Sequence, residues 1–115
     1  MMSDKELLEL AAKAAGIKAL WSPDGVLRDC TNGHPAQNIY SAPPWNPLTD
    51  DGDALRLAVK LHINIEIWNV DDLVRANVYL KDRGHGCFQE YYIPEPYAAT
   101  RRAIVRAAAE IGKGE

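Results

Sequence analysis

The chain has 115 residues, 47% hydrophobic and 25% charged, with a net charge of −3. That is one domain's worth of chain, 1–115, and enough to bury a core without disulfides or structural metal. The acidic balance argues against a protein whose main task is gripping nucleic acid, and no window approaches the ~18 apolar residues of a membrane span.

The first residues carry Asp4, Glu6 and Glu9 where a signal peptide would need an apolar run, so a cytosolic protein is expected. Ser3-Asp4-Lys5-Glu6 instead has the form of a capping box. Leu7, Leu10, Ala11 and Ala14 follow at helical spacing and Gly16 stands at a C′ position, which predicts a helix over 3–15. Ile17–Trp21 and Val26–Cys30 flank Ser22-Pro23-Asp24-Gly25, a turn sequence, and predict a short hairpin. The stretch 31–47 holds Pro35, Pro43, Pro44 and Pro47 without periodicity and reads as a long connection.

Asp50, Asp51 and Asp53 stand just ahead of Ala54, Leu57, Ala58 and Leu61, which trace one helical face. A Ca²⁺ loop would close with a bidentate Glu further on, and none follows at that spacing. The acids are therefore read as a helix start, with Thr49 or Asp50 as N-cap and the others opposing the helix dipole. Ile63, Ile65 and Ile67 then alternate with Asn64, Glu66 and Trp68 as a strand, reached by a tight reversal at Leu61-His62. Residues 74–80 and 87–93 read as two more strands, joined by "KDRGHG" as the hairpin loop. Pro96 suits a helix N1 position, and Tyr97, Ile104, Ala108 and Ile111 mark one face of a closing helix over 96–111. The order α-β-β-α-β-β-β-α implies an α+β fold, a mostly antiparallel sheet with helices packed on both faces. On that layering Trp68, opposite the isoleucine face, is buried too.

The segments "KELLELAAKAAGI", "WNPLTDDGDALRLAVKL" and "ATRRAIVRAAAEIG", in that order, resemble the phage α-β-α sandwich domain proteins, small accessory proteins of tailed phages and prophages. The resemblance covers nearly the whole chain. It implies helices on both faces of a sheet and a phage-encoded product in the bacterial host cytoplasm. It carries no catalytic residue or ligand to this sequence.

Three side-chain sets invite a chemical reading. Cys30, His34, His85 and Cys87 are a tetrahedral zinc set by type, although neither Cys-His spacing is that of a paired knuckle. The plainer reading is a small apolar Cys in each strand and a polar His in each loop. Cys87 with His34 or His85 would also make a nucleophile and base, but no orienting group joins them, so the protein is read as not an enzyme and without a cofactor. Arg101, Arg102 and Arg106 begin the last helix and would suit a small anionic ligand such as a nucleotide; a solvated helix face is the simpler reading.

Trp45, in the proline-rich stretch, either anchors that loop or offers an aromatic to a partner; anchoring is the preferred reading. The long loop, with Trp45, and the hairpin tip, with Arg83 and His85, are the expected partner-binding surfaces. The expected function is a non-enzymatic interaction module acting on a host or phage macromolecule, most simply a protein.

Overall fold

The computed structural model describes residues 2–33, 38–68, 70–91 and 93–115. Helix α1 spans Asp4–Ala15. The Ser3 hydroxyl accepts from the Glu6 amide and the Glu6 carboxylate accepts from the Ser3 amide. Both partners of the capping box are thus engaged, and Gly16 ends the helix in the left-handed region at φ 71°.

Strands β1 (Ala19–Trp21) and β2 (Leu27–Asp29) form a hairpin, shorter at each end than the sequence pattern implies. Arg28 also pairs with Pro44 in an isolated bridge, and the Trp45 amide donates to Leu27 O. The second half of the long connection is therefore laid against the hairpin. The Arg28 guanidinium reinforces this by donating to Tyr40 O and Ala42 O. Four residues of that connection, His34 among them, lie outside the described residues.

Helix α2 covers Asp51–Lys60, with Asp50 as its N-cap accepting from the Asp53 amide at 2.8 Å. Its reversal passes through His62 at φ 56°, and the chain enters β3 (Asn64–Trp68). Strands β4 (Leu73–Leu80) and β5 (Gly84–Tyr91) complete an antiparallel sheet in the order β3-β4-β5. The β4–β5 turn is Lys81-Asp82-Arg83, not the six residues expected from the glycines: Gly84 and Gly86 lie inside β5. Gly86 belongs there because a Cβ would meet Leu80 and Phe88 side chains at 3.1 and 3.2 Å. Helix α3 runs Pro96–Lys113, two residues beyond the expected stop.

Helix α3 is the centre of the packing. It lies on β4 and β5, while α1 and α2 pack against it. Its Ala103, Val105, Ala107, Ala108 and Ala109 are wholly buried. Small side chains let α1 come close: a Cβ on Gly112 would fall 2.1 Å from Leu10 O.

The α+β class and the order of elements are those expected. Within that architecture the two faces of the three-stranded sheet differ in exposure, and α3 packs on β4 and β5 from the side of the buried residues. Along β4, Val74, Ala76, Val78 and Leu80 are buried toward the helices, whereas Arg75 and Asn77 are half-buried and Tyr79 is exposed. Strand β5 exposes every second residue from His85 to Tyr91. Such alternation is the signature of an antiparallel sheet solvated on one side.

Candidate functional site

The uncovered face of the sheet follows from register. Trp68, Leu73 and Tyr91 lie side by side across the three strands; Glu66, Arg75 and Gln89 form the next row, then Asn64, Asn77 and Cys87, then Tyr79 beside His85. Aromatic side chains thus stand at both ends of the face, flanking a buried Leu73 at one of them, with polar groups between. Tyr79 is 75% exposed, Tyr91 77% and Trp68 40%.

The polar rows are held by cross-strand bonds. Arg75 donates to the Gln89 side chain at 2.7 Å and places its guanidinium over the Trp68 ring, 5.1 Å from the centroid. Asn77 donates to the Glu66 carboxylate at 2.6 Å. These contacts fix the middle of the face and one side of the Trp68 ring, while Tyr79 and Tyr91 stay exposed. Stacking on Arg75 also replaces the expected burial of Trp68: no helix covers that ring, and a cation over its π-face stabilises it by about 0.5–1 kcal/mol.

The residues singled out from sequence are scattered. Arg101 donates to Asp51 at 2.6 Å and to Leu48 O; Arg102 reaches Asp4 at 2.7 Å; Arg106 binds Glu90 at 2.6 Å and Gln89 O, with its guanidinium near the Phe88 ring. The three guanidiniums point to three different elements, and each has its own carboxylate. Arg83 holds Glu110 at 2.8 Å and Asp82 at 3.3 Å, so the hairpin tip is tied back to α3. Trp45 is buried and serves as the loop's anchor.

Cys30 is buried at the hairpin, whereas His85 and Cys87 lie on the exposed sheet face, and these three do not gather. His34 lies outside the described residues. Among the described residues no group of three or more His, Cys, Asp or Glu side chains is placed to hold a metal ion. The three acids ahead of α2 diverge likewise. Asp50 caps, Asp51 takes Arg101, and Asp53 accepts from the Asn46 amide and from Arg56.

Two electrostatic details bear on stability. Burial pushes the Glu110 carboxyl upward, but hydrogen bonds from Lys113 and Arg83 outweigh it and hold the group below its ordinary value. At the first hairpin, a hydrogen bond from Ser22, helped by the Arg28 charge, keeps Asp24 low.

A second concavity, about 370 Å³, opens between α2, α3 and the edge of β3. Leu55, Ile65, Ile67, Tyr97 and Ile104 make it apolar, and the Asp51–Arg101 pair closes one end. Sequence reasoning missed both surfaces as sites. The signal for the sheet face was present in β4, where Arg75, Asn77 and Tyr79 alternate with Val74, Ala76 and Val78. No helix among the described residues is long and apolar enough to cross a membrane. No protein family, curated protein or solved structure matches the chain.

Proposed function

We propose that this chain is a non-enzymatic binding module that engages a protein partner through the uncovered sheet face. The observation that carries this reading is the exposure of Trp68, Tyr79 and Tyr91 on a face where Arg75 is bonded to Gln89 and Asn77 to Glu66. Trp, Tyr and Arg are the residue types that concentrate binding energy at protein interfaces, because rigid rings bury much area for little lost rotamer freedom. The face carries Glu66 and Arg75, opposite charges in adjacent strands, rather than the run of cations that a phosphate backbone would need. The resemblance to phage α-β-α sandwich proteins supports a phage accessory role and a host or phage protein of the bacterial cytoplasm as the target.

Affinity capture from bacterial lysate tests the reading, with the wild-type chain compared against a Tyr79→Ala, Tyr91→Ala double variant, both positions being three-quarters exposed. The expected outcome is a partner retained by the wild type and lost by a double variant whose melting is unchanged. Equal capture by both chains would remove the sheet face from consideration.

A further inference from the structure

The two edges of the three-stranded sheet are treated differently. Along β5, Arg106 hydrogen-bonds the Gln89 carbonyl at 2.8 Å and pairs with Glu90. Among the described residues no side chain is hydrogen-bonded along the outer edge of β3. Its residues Asn64–Trp68 run in unbroken register with β4, without a bulge, and include no Lys or Pro; Glu66 is their one charge. Beside it lies the apolar groove, where Ile67 is 70% exposed and Leu55 61%. Val59, one turn beyond Leu55, continues the apolar stripe along α2.

We propose that the β3 edge pairs with β3 of a second copy of this chain, antiparallel, about a two-fold axis at Ile65. The argument is the self-complementarity of the edge. A two-fold normal to the sheet keeps packed-side residues opposite packed-side residues. With Ile65 on the axis, Ile65 meets its own copy and Ile63 meets Ile67, so the helix side becomes a continuous apolar row. On the other side Asn64 falls opposite Glu66 of the partner copy. The Glu66 carboxylate already accepts from Asn77 through one oxygen and offers the other to that amide. Moving the axis to Glu66 would set two carboxylates against each other, which disfavours the neighbouring register. The paired copy unites two three-stranded sheets, brings the Leu55–Val59 stripes toward each other and makes the two uncovered faces one surface. This pairing does not depend on the proposed function, since Tyr79 and Tyr91 take no part in it.

Light scattering after size exclusion tests it, on the full chain from about 5 to about 200 µM, because an obligate pair follows protomer concentration. The expected result is a particle of twice the 12.7 kDa chain mass. Ile67→Lys, at an exposed position, is expected to return the particle to a single chain that still melts cooperatively, with a melting temperature that no longer depends on protein concentration. Ile65→Cys in a Cys87→Ser background is expected to form a linked dimer on mild oxidation, because the two thiols then face each other on the axis. A single-chain mass at every concentration overturns the proposal. So does a dimer that Ile67→Lys leaves intact, or one that Ile65→Cys fails to link.

Discussion

Asp50, Asp51 and Asp53 look alike in the sequence, but each answers a different need. Asp50 satisfies an amide at the start of α2, so Asp50→Ala should lower stability by about 1 kcal/mol in urea unfolding. Asp53 holds the Asn46 amide and thereby the approach of the chain to the helix. Trp45 is a larger stake: as a buried ring that pins the loop to the hairpin, its replacement by Ala should cost about 3–5 kcal/mol, read from the denaturation midpoint. Glu110 makes stability depend on pH. Its folded pKa lies below its unfolded value, so its contribution is complete above the ordinary glutamate range and disappears as pH falls through the lowered folded value. Glu110→Gln should therefore be less stable than wild type at neutral pH and converge with it in acid, measured as the denaturation midpoint across pH. Residue roles of the capping kind were legible because a cap acts within four positions of the chain. The Arg101, Arg102 and Arg106 partners were not, since Asp51, Asp4 and Glu90 come from distant elements.

At the scale of elements, the helices and their order follow from spacing and caps, and the strands from alternation. The exceptions share one cause, a dependence on what lies across the packing interface. Gly86 reads as a loop residue locally, but the strand accepts it because Leu80 and Phe88 fill the place of its side chain. Gly112 lies just past the expected end of the last helix, yet α3 continues through it, and the backbone of α1 passes so close that no other residue fits. Gly112→Ala should force α1 and α3 apart and cost about 3 kcal/mol, at the upper end of overpacking penalties. A thermal melt measures that loss, and an unchanged melting temperature would show that the two helices slide freely.

Over the whole molecule, the unequal exposure of the two faces of the three-stranded sheet decides where function is sought. The sequence pattern of β4 distinguishes its two faces, but the number of helices on each face depends on how the chain returns, which short-range pattern does not encode. The connections at 38–47 and at the hairpin tip are fastened by Arg28, Trp45 and Arg83. Tyr79 and Tyr91 on the sheet face carry no comparable structural duty. If they are free for binding, the Tyr79→Ala, Tyr91→Ala variant should retain the wild-type melting temperature within the ±0.5 kcal/mol typical of surface changes, roughly a degree or two.

The central place of α3 also governs how such a chain is made. Residues 4–91 include α1, α2 and every strand, but the apolar sides of these elements close on a helix translated after them. On the ribosome they wait, with oily surfaces uncovered, until residues 96–113 emerge. A chain halted at Glu95 should accordingly bind hydrophobic dyes and holdase chaperones, and should show no cooperative melt.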